Sequence, residues 1–184
     1  MDAELFLLVN NAGRPALDEL FWLVTELGKG EYATGIAVVL TALALRKVAW
    51  DIIPLLVLCA TLAGVTTEAI KQTVNRPRPL STLGNQVRVV GEELRQRSFP
   101  SGHTACAFAL AAGGAARVGR RRAWAVGLGL ASAVGFSRIY VGAHYPLDVV
   151  AGALLGLACG GVVFLVGAWV RRQWENRKGA ELAP

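Results

Sequence analysis

The chain has 184 residues, of which 54% are hydrophobic and 17% are charged, and its formal net charge at pH 7 is +6. A mean hydropathy of +0.45 is too high for an ordinary soluble domain, so the composition predicts a single-domain integral membrane protein. Nucleic acid is excluded as a partner because the basic residues cluster in short connections between apolar segments instead of along one polar face.

The first thirty residues contain two short amphipathic segments, 4–10 and 17–27, separated by residues 11–15. Neither approaches the ~20 apolar residues that a membrane-spanning helix needs. We expect them to lie in the membrane interface or to wedge between spanning helices, and segment 17–27 alternatively fits a re-entrant half-helix. Their aromatic side chains are expected to face lipid; these are Phe6, Phe21 and Trp22. The acidic N-terminus lacks the features of a cleaved signal peptide, so both segments are expected in the mature protein.

Five longer apolar segments follow, and each is predicted to form a membrane-spanning helix. They cover residues 32–45, 52–70, 102–116, 124–139 and 147–170. The predicted fold class is therefore all-α: a polytopic transmembrane helical bundle of about five spanning helices with N-terminal interfacial helices. The predicted organisation is an N-terminal part (1–30), a transmembrane core (31–171) that includes the polar loop 72–99, and a charged tail (172–184).

The distribution of arginine and lysine predicts the orientation of this bundle. Arg46-Lys47, the cluster at 117–122 and the basic tail at 171–178 would all lie at one face, which the positive-inside rule assigns to the cytoplasm. Loop 72–99 and the turn at 140–146 would then be extracytoplasmic. Basic residues in and next to this loop argue against that orientation, but Lys71 and Arg78 have a separate role described below.

The three cysteines, Cys59, Cys106 and Cys159, each lie inside an apolar segment with no second cysteine close in sequence. This spacing is not that of a metal site, and the odd number does not suggest a disulfide framework. We interpret all three as small buried apolar residues.

The segment before the third span, residues 97–104, combines features of an anion site. Pro100 disfavours helix in the residue before it and Ser101 is a good N-cap, so a helix is predicted to begin at Ser101 or Gly102. Its first amides would be free, Gly102 would allow a ligand to approach the backbone, and His103 could donate a proton. We interpret this segment as half of a phosphate pocket.

Residues 71–79 form a second polar cluster at the end of a predicted span. A lysine followed by arginines at such a position is ordinarily an anchor beside lipid headgroups. Arg78, however, stands between two prolines, and a rigid guanidinium is well suited to a bidentate grip on phosphate, with Lys71 as a point charge beside it.

A third cluster, residues 137–148, precedes and enters the last span. Pro146 fits the first turn of that helix, which places His144 just before it and Asp148 inside the first turn. The carboxylate could accept the imidazole N–H and leave the other ring nitrogen free as a nucleophile. Alternatively, Asp148 caps the helix and His144 is an interfacial polar residue.

Taken together, the three clusters read lysine, six residues, Arg-Pro; then Pro-Ser-Gly-His; then Ser-Arg, five residues, His, three residues, Asp. This pattern resembles the type 2 phosphatidic acid phosphatase superfamily of membrane lipid phosphatases, which shares its active-site design with vanadium haloperoxidases. The resemblance implies that His144 attacks phosphorus and forms a phosphohistidine, that Asp148 orients His144, and that His103 protonates the leaving oxygen and then activates water.

The resemblance also implies a phosphate-binding set. Its members are Lys71, Arg78 and Arg138, the hydroxyl of Ser101, and the amides of Ser101 and Gly102. No metal and no other cofactor is expected, because three cations and a helix terminus can supply the charge stabilisation that a metal would give. Glu68, one turn before Lys71, is expected to hold that lysine when no phosphate is bound.

A pocket at the membrane surface favours an amphiphilic phosphate whose tail stays in the bilayer. The short chain resembles small bacterial members that hydrolyse undecaprenyl diphosphate, which implies a multi-pass protein of the bacterial plasma membrane with an extracytoplasmic active site. Phosphatidylglycerophosphate and lipid A 1-phosphate are alternative substrates, and a phosphotransferase would use the same residues with an acceptor lipid in place of water. A transporter or lipid-binding module would not need all of His103, His144 and Asp148. Oligomeric state is not predicted.

Overall fold

The computed structural model describes residues 1–46 and 50–181, with side chains to residue 178. Within these ranges the regular structure is helical, as predicted. The helices are α1 (Asp2–Asn11), α2 (Pro15–Leu27), α3 (Gly30–Leu45), α4 (Ile52–Val74), α5 (Pro79–Leu83), α6 (Gly102–Val118), α7 (Arg121–Tyr140) and α8 (Pro146–Glu181), with a 3₁₀ turn at Gly84–Gln86. Lys47, expected to close the first span, and the last three residues of the predicted tail lie outside the described residues.

The five predicted spans correspond to α3, α4, α6, α7 and α8, although the helices are longer than the apolar segments. The last helix continues to Glu181, past the predicted end at residue 170, because residues 171–178 contain no proline or glycine that would end it. Two of the helices, α4 and α8, lie in stretches that are long and apolar enough to cross a membrane, and α3 is a shorter apolar helix. The number of five spans stays a prediction.

Helix α6 is the centre of the bundle and packs against α3, α4, α7 and α8. Its inward face consists of small residues, so neighbouring helices approach closely. Three cysteines, including Cys59 of α4, are buried with free thiols, in agreement with the interpretation of these residues as small apolar side chains.

Three glycines of α8 allow its backbone to touch that of α6. They are spaced four residues apart and are Gly152, Gly156 and Gly160. A Cβ added to each would lie 2.6, 2.2 and 2.4 Å from the carbonyl oxygens of Ser101, Ala105 and Ala109, respectively. The first turns of α6 and α8 are therefore held side by side.

The two ends of the bundle differ in charge. At one end, Arg117 and Arg171 both pair with Asp51, and Arg120 donates to the carbonyl oxygen of Ala44. At the opposite end, the last turns of α4 and α7 meet the first turns of α6 and α8 and the loop 75–101. The three polar clusters found in the sequence all lie at this second end.

The N-terminal helices cover this second end, and the prediction that their aromatic side chains face lipid is wrong for Phe6, whereas Phe21 is half-buried. Phe6 is fully buried and packs edge-on against Tyr145, with ring centroids 5.6 Å apart. Phe21 stacks on Tyr140 at 4.1 Å. Trp22 remains 45% exposed. The burial follows from the packing of α1 and α2 against α7, which short amphipathic segments do not reveal in sequence.

Replacing Gly156 by alanine is expected to destabilise the protein, because the new Cβ would lie 2.2 Å from the carbonyl oxygen of Ala105 and force α8 away from α6. Overpacking of this kind costs about 1–3 kcal/mol. Thermal unfolding in detergent measures the effect as a lower Tm. The matched control is Gly161→Ala in the same helix, where nothing lies within 4 Å of the added Cβ. Equal Tm values for the two variants would contradict the conclusion that Gly152, Gly156 and Gly160 allow close contact between α6 and α8.

Candidate active site

A pocket of about 240 Å³ opens at the end of the bundle where the polar clusters meet. Its walls come from α2, the end of α4, loop 75–101, the start of α6 and the turn between α7 and α8. Of the predicted site residues, it is lined by Lys71, Arg78, His103, Arg138 and His144. The structure therefore brings together residues that are separated by up to 73 positions in the chain.

Arg78 is held rigidly at the wall of this pocket. Its Nε donates to the carbonyl oxygen of Gln96 at 2.7 Å and its Nη1 to that of Ala143 at 3.2 Å, and Pro79 begins α5 directly after it. Burial lowers the pKa of Arg78 from its usual value, although a guanidinium stays charged at any physiological pH. The pocket thus holds a fixed, partly desolvated cation.

The turn before α8 presents the imidazole of His144. Gly142 has a φ of +85°, and a Cβ at this position would lie 2.8 Å from the carbonyl oxygen of Arg88, so only glycine fits the turn. The backbone N–H groups of Ala143 and His144 both donate to the carbonyl oxygen of Arg138 at 3.1 Å. These contacts fix the position of the ring next to the arginine.

The contacts of the two ring nitrogens define the tautomer of His144. Arg78 Nη1 lies 3.4 Å from Nε2. Because a guanidinium only donates, Nε2 is the ring nitrogen without a hydrogen and carries the lone pair. The hydrogen is then on Nδ1, which lies 3.7 Å from Asp148 Oδ2. Burial lowers the pKa of His144 to about 3, and the positive charges of Arg138 and Arg78 act in the same direction. The ring is therefore neutral at physiological pH, with its lone pair toward the cations.

Asp148 is completely buried, and one of its carboxylate oxygens accepts two hydrogen bonds. Its Oδ2 accepts the N–H of Tyr145 at 2.9 Å and the hydroxyl of Ser98. The first contact is the acidic half of a capping box, so the helix-cap interpretation is correct. The carboxylate also faces His144 Nδ1, but at 3.7 Å, longer than a hydrogen bond. Capping the helix and facing the imidazole are thus not alternatives in this site.

Helix α6 begins at Gly102 with Ser101 as its N-cap, as predicted. His103, in its first turn, lines the pocket, and its Nε2 is buried without a hydrogen-bond partner in the described part of the chain. A Cβ on Gly102 would lie 3.7 Å from Lys71 Nζ, so the ammonium group lies against the helix start. An unpartnered imidazole nitrogen and a neighbouring ammonium group are suited to a phosphate ligand.

The predicted phosphate contacts of Ser101 need a correction. Its backbone N–H donates to the carbonyl oxygen of Asp148 at 3.0 Å, so this amide is not free to bind a phosphate. The reason is the contact between the first turns of α6 and α8. The buried Ser101 hydroxyl accepts a hydrogen bond from Thr104 at 2.8 Å and keeps its own hydrogen to donate.

The expected pair between Glu68 and Lys71 is wrong. Glu68 Oε1 instead accepts from Arg97 Nη1 at 3.0 Å and from Gln72 Nε2 at 3.3 Å. No ion pair joins Glu68 to Lys71 within the ranges that the structure covers. Glu68 and Arg97 are about half exposed, whereas Lys71 lines the pocket, so the Glu68 carboxylate is engaged by the loop while the Lys71 ammonium group faces the pocket.

Sequence reasoning missed the part of the pocket that α2 supplies. Thr25 accepts a hydrogen bond from Arg138 Nη1. Glu26 and Lys29 form an ion pair of 2.8 Å, and both line the pocket, as does Glu92 of the loop. No motif in the sequence marks these residues, because their place in the pocket depends on how α2 and the loop pack against α7.

Arg76 is the second omission. It lies in the second cluster (residues 71–79), two residues before Arg78, and its Nη1 donates to Asp148 Oδ1 at 2.6 Å. The arginine-rich sequence was visible, but nothing in it distinguishes an arginine that binds phosphate from one that holds a carboxylate.

The sequence-family model described as "PAP2 superfamily" matches residues 53–172, which include all three polar clusters. The chain belongs to the PAP2 superfamily. This confirms the family that the motifs resemble, and it agrees with a site at which two histidines and four cations share one pocket.

Known PAP2 proteins are similar to this chain over different lengths. The "Bacitracin transport permease protein BcrC" of Bacillus licheniformis is 38% identical over 114 residues, which are 60% of this chain and 55% of that protein. The "Undecaprenyl-diphosphatase" of Sulfolobus acidocaldarius is 33% identical over 162 residues, or 84% of this chain and 73% of that protein. The crystal structure of Aquifex aeolicus LpxE superposes on this structure with a TM-score of 0.74 and 36% sequence identity. The superposition covers 88% of this chain and 93% of the LpxE chain.

His144 is expected to stay neutral well below pH 6.5, because burial lowers its pKa to about 3. In a ¹⁵N-histidine-labelled sample in detergent, its ring nitrogens should keep neutral-ring shifts from pH 7.5 to pH 5. The unfolded imidazole takes up a proton near pH 6.5, whereas the folded one does so only near pH 3. The free energy of unfolding should therefore decrease as the pH falls below 6.5. A spectrum of His103→Gln, with one histidine left, assigns the signals. A titration midpoint near 6.5 for His144 would contradict the buried, neutral ring.

Proposed function

We propose that this PAP2 protein is an integral membrane lipid phosphatase that works through a phosphohistidine at His144. One observation carries the proposal: the lone-pair nitrogen of a buried, neutral imidazole faces a pocket that also contains Lys71, Arg78 and Arg138. A neutral nucleophile among cations is the arrangement that attack on a phosphate dianion requires.

The proposed reaction has two steps. In the first, His103 is protonated beside the bound phosphate dianion; His144 Nε2 attacks the terminal phosphorus, the bond to the leaving oxygen breaks, and the His103 imidazolium gives that oxygen its proton. In the second, His103 takes a proton from water as the water attacks the phosphohistidine, the N–P bond breaks, and phosphate leaves. Both rings return to their starting state.

The three cations of the proposed site neutralise the equatorial oxygens as charge builds up on them. Contacts of this kind contribute about 2.7–4 kcal/mol each to transition-state stabilisation. With this charge in place the reaction as written needs no metal ion, and we propose that it is metal-independent. Asp148, facing Nδ1–H, offsets the positive charge that His144 acquires when it is phosphorylated.

Undecaprenyl diphosphate is the proposed substrate. The similarity to the Sulfolobus protein named undecaprenyl-diphosphatase supports it, and so does a fourth cation, Lys29, in the same pocket as the other three. A diphosphate presents a second phosphate group, which the additional ammonium group can bind. Phosphatidylglycerophosphate and lipid A 1-phosphate are the alternatives, and transfer to an acceptor lipid is the alternative reaction.

We further propose a multi-pass topology in the bacterial plasma membrane with the pocket on the extracytoplasmic side. The support is the separation of charge along the bundle: the arginine-rich end contains Arg117 and Arg171, and the pocket lies at the other end. The positive-inside rule assigns the first end to the cytoplasm. A substrate would then reach the pocket from the outer leaflet.

Purified protein in detergent should release phosphate from undecaprenyl diphosphate with EDTA present, and His144→Gln should abolish release. Phosphatidylglycerophosphate and lipid A 1-phosphate, assayed in parallel, rank the substrates. Arg138→Gln should lower kcat by ~100-fold or more, because it removes one transition-state contact. Arg97→Gln is the control, since Arg97 pairs with Glu68 outside the pocket and is half exposed. Release that stops with EDTA would disprove metal independence, and transfer to an added lipid without release would favour the phosphotransferase.

Lys29→Met should lower kcat/KM for the diphosphate by about 10-fold or more and change it much less for a monophosphate, because a charge-assisted hydrogen bond contributes ~1.5–3 kcal/mol. The ratio of the two kcat/KM values is the measurement. Lys178→Met, in the exposed C-terminal part of α8, is the matched control. An equal loss on both substrates would mean that Lys29 does not contact the second phosphate group.

A further inference from the structure

Arg76 connects three parts of the chain but does not line the pocket. Its Nη1 donates to Asp148 Oδ1 at 2.6 Å, and its Nη2 donates to Asp2 Oδ2 at 2.7 Å. The guanidinium also stacks on the ring of Tyr145, 4.4 Å from its centroid. One planar group is thus held by two carboxylates and one aromatic face.

This contact matters because Asp148 has no access to solvent. A buried carboxylate is costly unless charged donors compensate it. Two neutral donors, Ser98 and the Tyr145 amide, contact Oδ2, whereas the cation that reaches Oδ1 is Arg76. Arg78 is directed elsewhere, toward carbonyl oxygens and His144.

Asp2 holds the other side of the guanidinium. While its Oδ2 accepts from Arg76, its Oδ1 accepts the backbone N–H of Leu147 at 3.0 Å, in the first turn of α8. The side chain is 15% exposed, so the pair is largely shielded from water. Asp2 therefore fixes Arg76 relative to the helix that carries Asp148.

We propose that Arg76 and Asp2 form a clamp that holds the Asp148 carboxylate ionised and turned toward His144 Nδ1, and thereby keeps the lone pair of His144 on Nε2. Arg76 is a positioning residue in this proposal and does not contact the phosphate. Its effect on turnover rests on the proposed function, whereas its effect on the imidazole tautomer does not.

The physical basis is the preference of the imidazole hydrogen for the nitrogen that faces negative charge. With Arg76 in place, the carboxylate opposite Nδ1 is ionised and its orientation is fixed by Ser98, Tyr145 and the guanidinium. Without the guanidinium, the carboxyl group takes up a proton or rotates. The tautomer with hydrogen on Nδ1 is then no longer favoured by the facing negative charge. The tautomer with hydrogen on Nε2 becomes populated, and in it Nε2 cannot attack phosphorus.

The clamp is tested by ¹⁵N-histidine NMR of Arg76→Gln, Arg76→Lys and Asp2→Asn at pH 7.5. The chain has two histidines, so two sets of ring signals need assignment. Wild type should show His144 with hydrogen on Nδ1. Arg76→Gln should populate the Nε2–H form, Asp2→Asn should do so to a smaller extent, and Arg76→Lys should partly restore the wild-type signals. Arg95→Gln, an exposed arginine of the same loop that pairs with Glu93, should leave them unchanged.

Kinetics with the best lipid substrate provide the second measurement. Arg76→Gln should lower kcat by about 10- to 100-fold with little change in KM, since the pocket cations are intact, and Arg76→Lys should recover part of the rate. A raised KM with kcat kept would show that Arg76 binds phosphate directly and would overturn the proposal. Unchanged His144 signals in both Arg76→Gln and Asp2→Asn would also overturn it. If wild type hydrolyses no lipid phosphate, the proposed function fails, and the NMR result still decides the clamp.

Discussion

The backbone contact between α6 and α8 is the constraint on which the site depends. Gly152, Gly156 and Gly160 remove the side chains that would separate the two helices. The first turns then lie close enough for the Ser101 amide to bond to the carbonyl oxygen of Asp148 at 3.0 Å. The Ser101 amide is therefore not available to a ligand. In return, the first turn of α6 with His103 lies beside the turn with His144.

Charge compensation is the second consequence of this packing. The pocket concentrates Lys71, Arg78 and Arg138, whose mutual repulsion and desolvation disfavour the empty state. The proposed phosphate ligand would relieve that repulsion, which is how binding energy can be directed to the reacting group. Asp148, the one buried carboxylate in the described part of the chain, accepts hydrogen bonds from its own set of donors and does not form an ion pair with these cations.

The N-terminal helices form part of the pocket and of its supporting contacts. Helix α2 closes one side of the pocket, where Thr25 contacts Arg138, and Lys29, just after α2, adds a cation. Helix α1 reaches the first turn of α8 through Asp2. Residues that choose among lipid phosphates are thus expected on these helices and on loop 75–101, whereas the residues proposed to act on phosphorus lie on the four core helices and their connections.

The sequence by itself determined the all-helical class, the family and the histidines and three of the cations that line the pocket, because each depends on local chemistry. Ser101 before α6 and Pro146 at the start of α8 are helix signals that neighbours along the chain suffice to read. Only the tertiary structure decided that Arg76 holds Asp148, that Glu68 pairs with Arg97 and that Phe6 is buried. The physical reason is that periodicity and spacing report which face of a helix is apolar, whereas the partner of a long charged side chain depends on which helix packs beside it.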